Sequence, residues 1–367
     1  MTQTVAVALS GGIDSLVSAY LLKQKGVNVI GFHFITGYET QQDSPQLVSE
    51  NIETLCKRFD IPLYVVNIHR VFKETVIQYF TESYANALTP NPCIVCNAKI
   101  KFGLLLNIVM EHGADFFATG HYAQNTIQPD GRCQLRKGMD FKKDQSYFLS
   151  QLTQSQLKYV LFPLGKLTKA QVRKIAEENC IKPVVSKESQ DVCFIQDAHY
   201  TEIFGNNVKA RMVYGPIIDT HGNRLGTHKG LYHYTIGQRR GLNCPASEPY
   251  YVKQKDMSQN ALIVGKKNEL FASSCMVKDV HWINDSPKSS IAVSTRIRYS
   301  HTEAPSELIF HSDNRVVVKF KTPQWAITPG QYAVFYDDQE VLGSGWIEEN
   351  SQEGILRRWN SVDLVWS

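Results

Sequence analysis

The sequence lacks the features that mark secreted and membrane proteins. Its N-terminus has no basic segment, and the first apolar run is interrupted by Ser10, Gly11 and Gly12, so we expect no signal peptide. No segment approaches the ~18 consecutive apolar residues that a membrane span needs. The 8 cysteines among 367 residues are too few and too scattered for a disulfide scaffold. These absences predict a cytoplasmic protein with no membrane partner, in which the cysteines begin as thiols.

The sequence also lacks a strong excess of charge. Its 39 Lys and Arg residues oppose 35 Asp and Glu residues, for a formal net charge of +4. A nucleic-acid partner is therefore permitted but not indicated, and it would need a local basic face. One candidate face is the basic stretch formed by Arg132, Arg136, Lys137, Lys142 and Lys143, which could equally be an ordinary solvated surface.

What is present is, first, an alternation of strands and helices over about the first 200 residues. The predicted strands are TVAVALS, VNVIGFHF, LYVVNIH and DFFATGHY. The predicted helices cover residues 15–25, 45–60, about 99–112 and, from the capping-box residue Thr168, 168–179. Strands that alternate with helices of this length predict a parallel sheet covered on both faces.

The pattern changes after about residue 203, where glycine, aromatic and β-branched residues become frequent. From about residue 271 short strands such as RVVVKFK and QYAVFYDD are separated by turn residues, which is typical of a small all-β barrel or sandwich. The length allows two or three domains. We therefore predict domains over 1–203, 204–270 and 271–367, with boundaries that rest on the change of pattern alone.

The most informative motif is SGGIDS, residues 10–15, between the first predicted strand and its helix. Glycines 11 and 12 let the backbone approach an anion, and a helix start offers unpaired N–H groups and a partial positive charge. The motif is neither a Walker A loop nor GxGxxG, and no lysine follows its glycines. Such a loop suits a pyrophosphate that leaves, with Asp14 orienting Mg²⁺ on it. The alternative is an ordinary strand-to-helix turn.

The string SGGxDS resembles the PP-loop signature of ATP pyrophosphatases, which adenylate a carbonyl oxygen and then let a nucleophile displace AMP. That resemblance leaves the acceptor open, because asparagine, GMP and argininosuccinate synthetases and several tRNA-modifying enzymes look similar here. Further strings narrow the choice: TPNPCIVCNAKIKF, ATGHYA, KDQSYFL, QDVCFI, GLYHYTIGQRRGL and TPGQYAVFY. In this order, over nearly the whole chain, they are similar to the tRNA 2-thiouridylase family (MnmA/TrmU).

The resemblance implies a fold, an activity and partners. The fold is α/β: an N-terminal parallel-sheet PP-loop domain like that of the adenine nucleotide alpha hydrolases, then a small, mostly β central domain and a C-terminal β-barrel. The activity is ATP- and Mg²⁺-dependent sulfur transfer to C2 of the wobble uridine (U34) in the anticodon stem-loop of tRNA. The implied route runs through an adenylated uridine and a cysteine persulfide loaded by a sulfur donor protein.

The resemblance also assigns candidate residues by position. For ATP they are Ala8, Leu9, Ser10, Gly11, Gly12, Ile13, Asp14, Ser15, Phe34 and Gly120. For tRNA they are Asn91, Pro92, Cys93, His121, Lys143, Asp144, Gln145, Arg298, Tyr299 and Gln331. Cys96 matches the nucleophile, and Cys193 matches the cysteine that receives the persulfide.

The sulfur chemistry can follow two routes. The Cys193 persulfide attacks C2 directly, or Cys96 attacks the persulfide, releases hydrosulfide and leaves a Cys96–Cys193 disulfide to be reduced. We expect the helix start that NPCIVCNAKIKFG suggests, together with Lys99 and Lys101, to favour the Cys96 thiolate.

Cys93 departs from the family pattern, because many members have an aspartate there that is assigned acid–base work. Cysteine could replace it if its pKa lies near neutral. Alternatively, Cys93, Cys96 and Cys193 hold an iron–sulfur cluster. A zinc site is less favoured, because a second ligand pair is not evident.

Two rival functions remain open at this point. A PP-loop ligase that adenylates a small molecule would form AMP without RNA and would not need Cys96 or Cys193. A tRNA-binding factor that has lost catalysis would keep salt-dependent tRNA affinity without ATP cleavage.

Overall fold

The computed structural model describes residues 3–39, 45–185, 192–195, 213–244, 247–311 and 313–349. Its N-terminal part is built on a five-stranded parallel sheet in the order β3-β2-β1-β4-β7. The strands are β1 (Thr4–Ala8), β2 (Asn28–Ile35), β3 (Leu63–Asn67), β4 (Phe116–Ala118) and β7 (Val160–Leu161). Four of them confirm the predicted strands. Sequence patterning missed β7, since two residues are too short to show a period.

Helices cover both faces of this sheet, and separate apolar cores form on its two sides. The helices are α1 (Ile13–Gln24), α2 (Pro45–Arg58), α3 (residues 69–85, of which Lys73–Ile77 are π-helical), α4 (Pro92–Glu111), α5 (Gln154–Leu157) and α6 (Lys169–Glu178). Short 3₁₀ turns lie at Ser146–Leu149, Leu231–His233 and Lys267–Leu270. The parallel α/β architecture of the first part is thereby confirmed.

Helix α4 begins earlier than predicted. We expected a start near residue 99, but the Asn91 side chain accepts a hydrogen bond from the Ile94 N–H at 3.3 Å and Pro92 occupies the first helical position. Both are helix-start signals. Within the described residues α4 is also the one helix long and apolar enough to cross a membrane by length and composition alone. Its Ile94, Phe102 and Val109 are fully buried in the protein core, as expected of a core helix.

A β-hairpin that the sequence did not predict joins the first domain to the last. Strands β5 (Ala123–Ile127) and β6 (Cys133–Lys137) pair antiparallel, and β6 continues onto β17 of the C-terminal sheet through Arg136 and Glu340. Cys133 and Leu135 on β6 are fully buried. The hairpin therefore ties the catalytic α/β layer to the barrel.

The central part forms a small sheet in the order β10-β11-β8-β9. Its strands are β8 (Gly215–Asp219), β9 (Arg224–His228), β10 (Tyr251–Asp256) and β11 (Ala261–Gly265). Only β8 and β11 run parallel among these pairs. The mostly β character predicted for this region is confirmed.

The C-terminal part is a closed, six-stranded antiparallel barrel. Its strands are β12 (Phe271–Trp282), β13 (Ile291–Arg296), β14 (Ala304–Phe310), β15 (Val316–Trp325), β16 (Tyr332–Asp337) and β17 (Glu340–Ile347), and pairing of β12 with β17 closes it. Because the sheet is closed, this region is a barrel and not a sandwich, the other architecture that the sequence allowed. The predicted boundary at residue 203 and the end of the predicted barrel, residues 350–367, lie outside the described residues. The three domain boundaries stay predictions.

Candidate active site

The SGGIDS segment forms a tight loop between β1 and α1. Gly11 has φ +80°, a conformation that favours glycine, and Gly12 is the N-cap without a side-chain hydrogen bond to the helix. The Ser15 hydroxyl donates to the Gly12 carbonyl at 2.9 Å and accepts from the Ser10 N–H at 3.2 Å. The loop is thus closed on itself while the first helical N–H groups have no side-chain cap, which is the arrangement an anionic phosphate requires.

Asp14 in this loop is held by two residues from distant parts of the chain. The Lys169 ammonium lies 2.8 Å from both carboxylate oxygens, and the Tyr122 hydroxyl donates to one of them at 2.8 Å. Lys169 is only 7% exposed. The sequence indicated a phosphate loop without a lysine, but the fold brings one to it. Asp14 still fits as a single carboxylate ligand of Mg²⁺ on bound phosphates, next to this ammonium.

The remaining candidate ATP residues lie at the same edge of the sheet. Ala8 ends β1. The Leu9 that follows it donates from its N–H to the Phe32 carbonyl, and its own carbonyl accepts from His33 Nδ1 at 2.8 Å. Gly120 follows β4, and a Cβ there would lie 2.9 Å from the backbone of Asp14 and Ser15. Phe34 near the end of β2 stacks on Phe32. Their placement at the carboxyl ends of parallel strands is where such sheets bind ligands.

The three cysteines come together although Cys193 is far from the others in sequence. Cys93 and Cys96 lie on the first turns of α4 and are partly buried, whereas Cys193 is exposed. Their charges are close enough to act on one another. Burial raises the pKa of Cys93 to about 11 and that of Cys96 to about 12, and desolvation also raises the pKa of Cys193. Our expectation of a thiolate favoured by the helix start is therefore wrong, because desolvation outweighs it.

Lys101 is the cation that faces this group. Its ammonium lowers the pKa of Cys93, Cys96 and Cys193 against the larger effect of burial. Lys99, which we expected to help, is exposed, and its charge is not among those acting on the cysteines. Residues Cys96–Leu105 are π-helical, so both lysines lie in this irregular stretch of α4, Lys99 on its exposed side and Lys101 partly buried.

Two sequence expectations about these cysteines are not met. All 8 cysteines are free thiols, so the structure contains no Cys96–Cys193 disulfide. Among the described residues, which include Cys93, Cys96 and Cys193, no group of three or more His, Cys, Asp or Glu side chains is placed to hold a metal ion. The three thiols as arranged therefore do not fit an iron–sulfur cluster or a zinc site, and we derive no step through either.

Several residues assigned to tRNA by position turn inward. Asp144 is 3% exposed and accepts from the N–H groups of Gly138 and Ser146 at 3.0 and 3.1 Å. Gln145 accepts from the Tyr122 N–H at 2.9 Å. His121 is buried against the Thr119 hydroxyl at 2.7 Å, and burial, with Lys101, lowers its pKa well below the usual value, so it is a neutral imidazole. These three side chains therefore support the site through contacts inside the protein.

The segment that precedes α4 is hydrogen-bonded to the other two domains. Gln331 of the barrel is 9% exposed and donates to the carbonyls of Thr89 and Pro90 at 2.8 and 3.2 Å. The Thr89 N–H donates to the Pro329 carbonyl at 3.0 Å. From the central domain, Lys255 lies 3.5 Å from the Leu88 carbonyl, and burial lowers its pKa to about 7. The position of Asn91, Pro92 and Cys93 thus depends on all three domains.

Arg298 and Tyr299 border the same junction from the barrel. Arg298 donates to the Thr328 hydroxyl and, at 2.8 Å, to the Ile236 carbonyl, and its buried Nε has no partner in the described part of the chain. Tyr299 packs on Phe148 with ring centroids 4.4 Å apart and remains partly exposed. Of this pair, Tyr299 has surface to offer an incoming ligand.

Family models match three consecutive parts of the chain. The model of the tRNA methyl transferase HUP domain matches residues 3–197, and that of the tRNA methyl transferase PRC-barrel domain matches residues 206–266. The model of the aminomethyltransferase β-barrel domain matches residues 272–347.

Curated relatives match over nearly the whole length of the chain. The tRNA-specific 2-thiouridylase MnmA of Desulfosudis oleivorans is 48% identical over 343 residues, 94% of each chain. The chain belongs to the MnmA family. The MnmA of Halothermothrix orenii is 43% identical, covering 94% of this chain and 99% of its own.

The MnmA resemblance predicted from the motifs is therefore confirmed. Reasoning from sequence missed Lys169 and Tyr122, the two partners of Asp14. The capping box at Thr168 did place Lys169 at a helix start, but which loop that start would meet depends on the fold. The individual roles of the MnmA-type residues remain proposals.

Proposed function

We propose that the chain uses ATP and Mg²⁺ to transfer sulfur to C2 of the uridine at position 34 of tRNA, giving 2-thiouridine, AMP and pyrophosphate in the cytoplasm. The observation that carries the proposal is the meeting of Cys96 and Cys193, from separate parts of the chain, around Lys101 in the domain that holds the phosphate loop. A ligase that adenylates a small molecule would not need Cys96 and Cys193. A tRNA-binding factor that has lost catalysis would not need the phosphate loop.

The first step is adenylation of the uridine, because its O2 is a poor leaving group. The uridine O2 attacks the α-phosphorus of ATP and pyrophosphate leaves, so that O2 departs later as part of AMP. The open N–H groups after Gly12, the hydroxyls of Ser10 and Ser15 and the Lys169 ammonium are the groups offered to the phosphates. Phe34 is the candidate beside the adenine, and Gly120, next to the backbone of Asp14 and Ser15, is a further candidate ATP contact.

The second step moves sulfur from Cys193. A donor protein's persulfide passes its outer sulfur to the Cys193 thiol, which is exposed and can be reached. The terminal sulfur of the Cys193 persulfide attacks C2, and AMP leaves with the electron pair of the C2–O2 bond. Cys96 then attacks the Sγ of Cys193, which releases the thiolated uridine and forms a transient Cys96–Cys193 disulfide. An external dithiol returns both cysteines to the free thiols of the resting structure.

Cys93 does not take over the acid–base work of an aspartate. A group suited to that work at neutral pH needs a pKa near 7, whereas burial raises the pKa of Cys93 to about 11. At neutral pH it is a neutral thiol at the second position of helix α4. We assign it to the wall of the uridine site, beside Asn91 and Pro92.

The test is a thiolation assay with ATP, Mg²⁺, a persulfide donor and tRNA that carries U34. Wild-type protein should form 2-thiouridine and release pyrophosphate in a tRNA-dependent way. Cys96→Ser and Cys193→Ser should each abolish 2-thiouridine, while Cys180→Ser, in an exposed thiol outside the site, should act like wild type. Absence of 2-thiouridine with several such tRNAs, or AMP formation without RNA, would sink the proposal.

A further inference from the structure

The loop between β6 and the 3₁₀ turn Ser146–Leu149 presents large apolar side chains to solvent. Phe141 at its tip is 72% exposed and Met139 is 45% exposed. Phe141 is the most exposed of the large hydrophobic residues in the described part of the chain. A ring that is exposed to this extent is available to stack on a ligand.

The loop is built to hold this tip in place. The Lys143 N–H donates to the Asp140 carbonyl at 2.9 Å, and the Lys142 N–H donates to the Asp140 carboxylate at 3.1 Å. The other Asp140 oxygen accepts from the Lys169 N–H at 2.9 Å. At the base of the loop, the Met139 N–H donates to the Gly165 carbonyl at 2.9 Å. Phe141 therefore projects from a fixed turn and is not a side chain on a loose loop.

The same contacts place the tip beside the phosphate loop. Lys169 binds Asp140 through its backbone N–H and binds Asp14 of the phosphate loop through its ammonium at 2.8 Å. One lysine thus joins the tip to the site where we propose that the uridine is adenylated. Phe141 follows Asp140 directly, so its ring is within one residue of this link to the phosphate loop.

The charges at the tip match a nucleic acid. The exposed Lys142 follows Phe141 directly, and Lys143 follows next. An exposed ring flanked by cations is the combination that binds unpaired nucleotides, since bases stack on the ring and phosphates meet the ammonium groups. Asp144 and Gln145, which the family pattern marks for tRNA, are used internally to hold this turn and the Tyr122 backbone.

We propose that Phe141 stacks on an unpaired base of the RNA substrate next to the target uridine, and that Lys142 meets a phosphate of the same strand. This inference rests on the proposed function and names a protein surface that binds the RNA substrate. The tip positions the RNA and takes no part in the bond changes.

The test compares full-length variants with a tRNA that carries U34 and with its isolated anticodon stem-loop. Phe141→Ala should weaken RNA binding and raise the KM for tRNA about tenfold, since base–aromatic stacking contributes on that order. Phe141→Tyr should stay close to wild type, because it keeps the ring. The KM for ATP and the kcat at saturating tRNA should not change. Phe271→Ala, in an exposed phenylalanine of the barrel, is the matched control.

Two further readouts separate the possible outcomes. Lys142→Gln should reduce the slope of log affinity against log salt by about one, as expected for the loss of one phosphate contact.

If Phe141→Ala binds RNA like wild type, or if Phe141→Leu binds RNA as well as Phe141→Tyr does, stacking is refuted. Slower loading of Cys193 by the donor protein, with RNA binding intact, would assign the tip to a protein partner instead. A wild-type protein that makes no 2-thiouridine overturns the proposed function, whereas a wild-type-like Phe141→Ala overturns only this inference.

Discussion

Lys101 supplies the positive charge at the sulfur site. Its ammonium acts on Cys93, Cys96, Cys193 and the neutral His121 at once. Each of these thiols is desolvated, so the anionic sulfur that the reaction needs is disfavoured without a nearby cation. We therefore propose that Lys101 stabilises the leaving and attacking sulfur atoms and acts in the sulfur-transfer step in particular.

We predict that Lys101→Met slows thiolation about tenfold, on the order expected for a preorganised charge, because the ammonium that lowers the pKa of the three thiols is lost, while tRNA-dependent pyrophosphate release continues. Lys99→Met, in an exposed lysine of the same helix, is the control and should leave both rates unchanged. Rapid-quench measurement of 2-thiouridine and pyrophosphate in one experiment separates the steps. Equal slowing of both products would contradict the assignment of Lys101 to sulfur transfer.

The pH dependence of thiolation is a second test of how Cys96 and Lys101 act. Burial raises the pKa of Cys96 to about 12, so its thiol is protonated at neutral pH and its thiolate fraction rises as the pH rises. Single-turnover release of thiolated tRNA should therefore increase about tenfold per pH unit between pH 7 and 9, without a plateau. Lys101→Met should keep this slope at a lower rate. A plateau below pH 8 would show that the attacking thiol has a much lower pKa.

At the scale of elements, the start of α6 completes the phosphate loop. Thr168 caps the helix with Gln171 in a capping box, which fixes Lys169 at the first helical position. From there its ammonium reaches Asp14, and its backbone N–H reaches Asp140. A short helix therefore orients both the catalytic loop and the proposed RNA-binding tip.

Lys169→Met should reduce tRNA-dependent pyrophosphate release by one to two orders of magnitude, because a preorganised charge at a phosphate site is lost. It should also destabilise the fold by roughly 1–3 kcal/mol, since among the described residues the partly buried Asp14 side chain then keeps Tyr122 as its one side-chain partner. Lys174→Met, in an exposed lysine of the same helix that pairs with Glu178, is the control. Calorimetry and a pyrophosphate assay measure the two effects. Unchanged pyrophosphate release in a folded Lys169→Met protein would contradict the role.

These elements also show how far the sequence alone could go. The phosphate loop was predictable because SGGIDS is contiguous and its chemistry is local. The long strands were predictable because their apolar runs are continuous. The partners of Asp14 and the approach of Cys193 to Lys101 were not predictable, since both depend on packing between distant segments of the chain. The hairpin β5–β6 was missed because its pairing partner is β17, in another domain.

At the scale of the whole molecule, all three domains hold the segment that leads into α4, which we propose binds the uridine. Residues 88–90 are hydrogen-bonded by Gln331 and Pro329 of the barrel and by Lys255 of the central domain. A Cβ on Gly330 would lie 2.8 Å from Leu88 and 2.9 Å from the Thr89 nitrogen, so the barrel approaches this segment closely. The hairpin β5–β6 adds a second connection between the first domain and the barrel. The barrel is therefore part of the active-site support.

Gln331 tests that view, because its amide already donates to two carbonyls and has little surface left for tRNA. Gln331→Ala should lower kcat for pyrophosphate release and thiolation together, by about tenfold, as Asn91 to Cys93 lose their fixed position. The KM for tRNA and the salt dependence of binding should stay close to wild type. Gln324→Ala is the control, in a partly exposed glutamine of the same barrel whose amide donates within its own strand to the Thr322 carbonyl. A raised KM for tRNA with an unchanged kcat would instead make Gln331 a direct tRNA contact and would reduce the barrel to an RNA-binding module.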